Sequence, residues 1–204
     1  MLAIIDYGMG NLGSIQNMLK YLGYKSFISD DPEKISEADK LILPGVGAFD
    51  NGMENLNSKG LVEILTRRVL REKVPVLGIC LGMQLLSKRS GEGTLPGLGW
   101  IDAETIRFSF PEHSGLRIPH MGWNTVTAQK KSPLIEDMPP DARFYFVHSY
   151  HVTCRDPSDI LLTTSYGLEL TSAVERGNIY GVQFHPEKSH KYGMGILRNF
   201  MERI

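Results

Sequence analysis

The sequence predicts an α/β fold: a mostly parallel central sheet flanked by helices, continued by a strand-rich second half. Three observations carry that expectation. Residues 2–5, 41–43 and 76–80 form short runs that are apolar throughout rather than alternating, the pattern of strands buried on both faces of a parallel sheet. Apolar residues between them return at helical spacing, which points to βαβ units. After residue 97 the helical period gives way to successive short, turn-separated, strand-like segments.

In chain order, the strand 2–5 leads to a helix carrying Ile15, Met18, Leu19 and Leu22, which stops at Gly23. The strand 41–43 follows. A second helix carries Leu61, Ile64, Leu65 and Val69 and ends before Pro75. The strand 76–80 runs straight into a helix over 81–88. Strands are then expected at 97–108, 123–127, 143–152, 160–165, 171–175 and 179–184. A closing helix over 192–203 places Ile196, Leu197, Phe200 and Ile204 on one stripe. No repeat, low-complexity tract or linker divides the chain.

Composition narrows the function. The 204 residues suffice for one sizeable core, since chains of this length bury roughly 70% of their unfolded surface. Lys and Arg number 22 against 23 Asp and Glu, which argues against nucleic acid as a partner. Two cysteines cannot build a disulfide framework, so a reducing, cytoplasmic setting is expected. The start MLAIIDYGMG has no basic segment before its apolar run, unlike a signal peptide. No apolar run approaches the ~20 residues that cross a bilayer, so no membrane is expected as a partner.

Chemistry concentrates at Gly78-Ile79-Cys80-Leu81-Gly82. Gly-x-nucleophile-x-Gly between a buried strand and a helix is the layout of a nucleophile elbow. The turn strains its central residue, and side chains two residues before and after it would collide; Gly78 and Gly82 remove that clash. The unpaired N–H groups of the helix start favour a thiolate there, and the Leu81 N–H points where an oxyanion would form. Cys154, in a strand pattern without such a turn, reads as a packing residue.

A thiol nucleophile needs a base, and the base an orienter. Gln183-Phe184-His185-Pro186-Glu187 supplies both types at the end of an apolar strand. In extended conformation His185 and Glu187 share one face, roughly 6–7 Å apart. The loop Pro44-Gly45-Val46-Gly47 leaves another buried strand, hence the same carboxyl edge of the sheet, where such sheets bind ligands. Its glycines allow a main-chain N–H to be aimed at a substrate oxygen.

Together these three stretches resemble the class I (triad-type) glutamine amidotransferases, in order and approximate spacing over nearly the whole chain. Further stretches resemble, within that family, the glutaminase subunits that serve histidine biosynthesis: Asp6-Tyr7-Gly8-Met9-Gly10-Asn11-Leu12, Pro119-His120-Met121-Gly122-Trp123-Asn124 and Tyr145-Phe146-Val147-His148-Ser149-Tyr150. The anthranilate and aminodeoxychorismate branches, kept as alternatives, usually carry His where this chain has Met83.

The resemblance implies a class I amidotransferase fold as one domain over 1–204. It also implies hydrolysis of glutamine to glutamate and ammonia, with Cys80 as nucleophile, His185 as proton carrier and Glu187 as its orienter. Oxyanion donors would come from Leu81 and from Gly45, Val46 and Gly47. Gln84, Glu92 and the backbone of His148, Ser149 and Tyr150 would hold the amino-acid end of glutamine. The implied partner is a (βα)8-barrel cyclase subunit in a heterodimer, which takes the ammonia and forms imidazole glycerol phosphate. Asn11, Met121, Trp123 and Asn124 are candidates for the docking face, with core packing the other reading of Trp123. No cofactor and no metal is called for; His148-x-x-His151 alone is no ligand pattern. In related subunits turnover waits for the partner, so the 44–47 loop is expected to be misaligned in the free protein.

One rival motif remains. Gly8-Met9-Gly10-Asn11-Leu12-Gly13 is Gly-x-Gly-x-x-Gly between a strand and a helix, with Asp30 and Asp31 where a ribose-binding acid would stand. It suggests a dinucleotide-binding oxidoreductase, but no second nucleotide-binding half follows and Cys80, His185 and Glu187 are left unused. A binding module with a silent site is the non-enzymatic alternative.

Overall fold

The computed structural model describes residues 1–204. Four parallel strands open the chain: β1 (Leu2–Ile5), β2 (Ser26–Ser29), β3 (Lys40–Leu43) and β4 (Val76–Ile79). Between and after them lie α1 (Leu12–Tyr21), α2 (Pro32–Ser36), α3 (Phe49–Ser58), α4 (Leu61–Thr66) and α5 (Leu81–Leu85). The second half supplies β5 (Arg89–Ser90), β6 (Ala103–Arg107), β7 (His120–Thr125), β8 (Thr127–Ala128), β9 (Arg143–His148), β10 (Tyr150–Cys154), β11 (Ile160–Ser165), β12 (Glu169–Arg176) and β13 (Ile179–Val182). The helix α6 (His190–Glu202) closes the chain.

The main sheet runs β2-β1-β3-β4-β13-β12-β10-β6-β5. Its first five strands are mutually parallel, and β12, β10 and β6 extend it antiparallel. Alternate residues of the parallel strands enter two separate cores: Ala3, Ile5, Leu41 and Leu43 on one face, Leu2, Ile4, Ile42 and Leu77 on the other. That is why these strands are apolar without alternation. The stripe of α6 and the face of α1 cover one side, α3 and α4 the other.

Three expected strands are redrawn. Only 103–107 of the run 97–108 is strand. The segment expected at 123–127 begins at His120 and pairs with β9 in a separate two-stranded sheet. The single strand expected over 143–152 breaks at Ser149, because β9 serves that small sheet while β10 joins the main one. The helix α3 and the pair β2 and α2 carry no expectation from the sequence. No helix is long and apolar enough to cross a membrane.

What positions the site is the parallel register. Leu43 lies beside Gly78, and Gly181 beside Gly78 on the other side. The chain segments after β3, β4 and β13 therefore emerge together at one carboxyl edge.

Candidate active site

The residue after β4 is Cys80, at φ 55° and ψ −110°, a backbone region that costs a side-chain-bearing residue about 1–3 kcal/mol. The surroundings hold it there. Its N–H donates to the Val182 carbonyl at 2.8 Å. A Cβ on Gly78 would come within 2.7 Å of the Gly82 oxygen, and one on Gly82 would overlap the Leu43 carbonyl. The glycines are thus required by the mutual approach of strand, turn and helix. Cys80 opens into a cavity of about 390 Å³, which Val46, Gly47, Leu81, Gln84, Glu92 and His185 also line. His148, Ser149 and Tyr150, with Pro119 and Val147, complete the wall.

His185 follows β13 and is almost wholly buried. The Nδ1 atom lies 2.8 Å from Glu187 Oε1, so Nδ1 carries the proton and Nε2 is left for the cavity side, with no hydrogen bond in the protein. The pairing does not come from strand alternation, as the sequence suggested. Residues Pro186–Lys188 turn in a 3-10 bend that swings Glu187 back onto the ring. Ser189 locks the bend: its hydroxyl donates to the His185 carbonyl at 2.6 Å and accepts the Tyr145 N–H at 3.0 Å. Burial alone would pull the imidazole down, but Cys80 and Glu187 outweigh it and push His185 up to about 9. Burial likewise opposes charge on Glu187, yet hydrogen bonds from His185 and Asn11 hold it below the usual carboxylate range.

Asn11 has a contact that the sequence reading did not foresee. Expected on a docking face, this half-buried residue donates from Nδ2 to Glu187 Oε1 at 3.0 Å and so braces that carboxylate. Met121 and Trp123 are 61% and 44% exposed, which removes core packing as the reading of Trp123. Trp123 stacks on His190 with centroids 5.5 Å apart.

The 44–47 loop reaches the thiol from β3. The Leu81 N–H, an expected oxyanion donor, donates to the Gly45 carbonyl at 3.3 Å. A trans peptide directs its C=O and N–H in opposite directions, so the Val46 N–H of that same peptide points away from Leu81. Tyr7, fully buried, donates its hydroxyl to the Pro44 carbonyl at 2.5 Å. A Cβ on Gly45 would overlap that hydroxyl and approach Leu81 Cβ to 2.8 Å.

The Gly-x-Gly-x-x-Gly loop has a different role from the one its pattern suggested. A Cβ on Gly10 would lie 3.1 Å from Pro44 Cβ and 3.2 Å from the Gly45 nitrogen, so the loop is backing for 44–45. Asp31 caps α2 through the Glu33 N–H at 3.0 Å, and Asp30 pairs with Lys59 at 2.6 Å.

Side chains around the cavity are cross-braced. Gln84 Nε2 donates to the Tyr150 carbonyl at 3.1 Å and to Gln183 Oε1 at 3.0 Å. Gln183 Nε2 in turn reaches Cys80 Sγ at 3.7 Å. Gln183 and Tyr7 are contributors that the sequence reading passed over, although both stand inside motifs it quoted. Glu92 Oε2 accepts the Phe49 N–H at 2.9 Å and so also caps α3. His148 and His151 both pack on Phe108. Burial pushes the Cys154 thiol up to about 12, apart from the site.

The arrangement of nucleophile, imidazole and carboxylate is that of a thiol-dependent acyl transfer site. A family model described as glutamine amidotransferase class-I matches residues 3–204. The chain is 56% identical, over the full length of both chains, to the imidazole glycerol phosphate synthase subunit HisH 2 of Methanococcus maripaludis. It is 52% identical, also over the full length of both, to the subunit of the same name from Pseudomonas aeruginosa. Among solved structures it is similar in fold to PurLQS from Thermotoga maritima (TM-score 0.76, 17% identity, covering 99% of this chain and 97% of that one).

Proposed function

The chain belongs to the class I glutamine amidotransferases, and on that premise we propose that it is the glutaminase subunit of an imidazole glycerol phosphate synthase. Glutamine enters the cavity with its side-chain amide at Cys80. The thiolate adds to the amide carbon, and the imidazolium of His185 protonates the departing nitrogen. Ammonia leaves and a thioester to Cys80 remains. His185, now neutral, takes a proton from water as it adds to the thioester; collapse of the intermediate restores the thiolate–imidazolium pair, and glutamate departs, its carboxyl proton passing to solvent. Glu187, braced by Asn11, keeps the ring in its Nδ1–H form and stabilises its charged state. Gln84, Glu92 and the 148–150 backbone hold the amino-acid end.

The oxyanion of each tetrahedral intermediate needs two donors. A rotation of the Gly45–Val46 peptide withdraws the Gly45 carbonyl from Leu81 and turns the Val46 N–H inward, supplying both at once. Docking of a (βα)8-barrel cyclase on the face bearing Met121 and Trp123 favours that rotation, and the ammonia passes to the cyclase within a cytoplasmic heterodimer. No cofactor and no metal takes part.

The observation that carries this reading is the convergence of Cys80, His185 and Glu187 at the ends of two neighbouring parallel strands. Cys80→Ala tests it. Glutamine-dependent synthesis by the complex should fall by roughly 10⁴-fold or more, while ammonia-dependent synthesis stays intact. Persisting glutamine hydrolysis would show that the nucleophile is another group.

A further inference from the structure

Behind the cavity wall lies a buried file of polar rings that the mechanism above does not use. Asn124 Nδ2 is 3.2 Å from His120 Nε2, His120 Nδ1 is 3.0 Å from His148 Nε2, and His148 Nδ1 is 2.7 Å from the Tyr150 carbonyl. His120 is sandwiched between Phe146 and Tyr166, with centroids 4.7 and 4.1 Å away.

The proton positions follow from the two ends. At one end the Tyr150 carbonyl can only accept, so His148 donates from Nδ1 and, when neutral, accepts at Nε2. At the other, Asn124 Oδ1 accepts the Thr125 N–H at 2.8 Å, and Nδ2 donates to the Ser165 carbonyl at 3.0 Å. Its amide orientation is thereby set, and His120 Nε2 must accept. His120 then donates from Nδ1, the partner that His148 Nε2 needs. Both assignments, made from opposite ends, agree in the middle with two neutral rings. Burial, which pushes His120 down to about 4 and His148 to about 3, is consistent with that neutrality.

The file ends on the Tyr150 carbonyl, which Gln84 also holds. Here the chain leaves one sheet for the other at Ser149, whose carbonyl accepts the Phe108 N–H at 3.1 Å, and the His148 ring adds a second tie across the crossover. We propose that His120, backed by Asn124, is a positioning residue for glutamine binding: it holds His148 in its Nδ1–H form and thereby fixes the 148–150 backbone that lines the cavity. This rests on the glutaminase reading. It also gives β7 two jobs by strand alternation, with His120 and Asn124 directed to the site and Met121 and Trp123 to solvent.

The test compares His120→Leu, which removes the donor, with His120→Asn, whose amide nitrogen can replace Nδ1–H. Both are assayed in the complex with the cyclase subunit, with thermal unfolding as the folding control. His120→Leu leaves the His148 acceptor unpaired, and the KM for glutamine should rise about tenfold with kcat nearly unchanged. His120→Asn should recover most of the loss. Nitrogen NMR of the His148 ring should show a single Nδ1–H form in the wild type, and in His120→Leu its Nε2 signal should move to that of an acceptor without a donor. An unchanged KM in His120→Leu, no rescue by His120→Asn, or an Nε2–H form of His148 in the wild type would each overturn the proposal. Wild-type complex that hydrolyses no glutamine would instead overturn the glutaminase reading. The His148 spectrum and calorimetric binding of glutamine to each variant would then decide the role of His120.

Discussion

The turn at Cys80 and the loop at 44–47 leave adjacent parallel strands within one residue of register, yet they are built in opposite ways. The turn is over-determined: strand, helix and neighbouring backbone leave its glycines no room for a side chain, and the base at His185 is locked by Ser189 and Glu187. The loop instead spends the oxyanion donor of Leu81 on its own Gly45 carbonyl. On the proposed function, nucleophile and base are assembled, while a single peptide group occupies the Leu81 N–H of the oxyanion site. On that same function, the difference would place control of turnover in the loop and not in the triad.

Breaking the rigid side should have the largest effect. Gly82→Ala forces a methyl into the Leu43 backbone, and the fold should lose roughly 3 kcal/mol or more, read as a drop in denaturation midpoint. A variant as stable as the wild type would mean that the turn is softer than described.

The pH dependence of stability tests the His185–Glu187 pair next. His185 is raised, so its contribution is fully present below about 6.5 and is lost as pH rises through about 9. Glu187 is lowered from 4.5, so its contribution is present above that value and is lost as pH falls further. The wild-type advantage in Tm over Glu187→Gln should therefore be greatest between these limits and shrink on both sides. An advantage that grows above pH 9 would contradict the pairing.

The smallest effect is expected on the loop side. Tyr7→Phe removes the donor to the buried Pro44 carbonyl and should cost about 1–3 kcal/mol of stability. Alkylation of Cys80 at an unchanged rate would separate loop anchoring from nucleophile chemistry; a slowed rate would join them.

Much of the rigid region is legible in the sequence, because its constraints are local. A strained nucleophile between two glycines needs those residue types at that spacing, and strands buried on both faces must be apolar at every position. The helix α3 hid in Phe49-Asp50-Asn51-Gly52-Met53-Glu54-Asn55-Leu56, whose Gly and Asn residues have poor helix propensity. Its buried Phe49, Gly52, Met53 and Leu56 keep helical spacing all the same. The break at Ser149 could not be read, because β-branched and aromatic residues continue on both sides and only tertiary pairing divides them. Asn11 was visible as a polar residue but its partner, Glu187, lies at the other end of the chain. The closed Gly45 carbonyl is a matter of one backbone torsion, to which the residue types Gly-Val-Gly are indifferent.

The contrast between turn and loop is tested most directly by glutaminase turnover of the subunit alone and in complex with the cyclase and its nucleotide substrate. Recovery of an oxyanion donor predicts a rise in kcat of about 10²–10³-fold in the complex, with Cys80 and His185 unchanged. Full turnover by the subunit alone would contradict it.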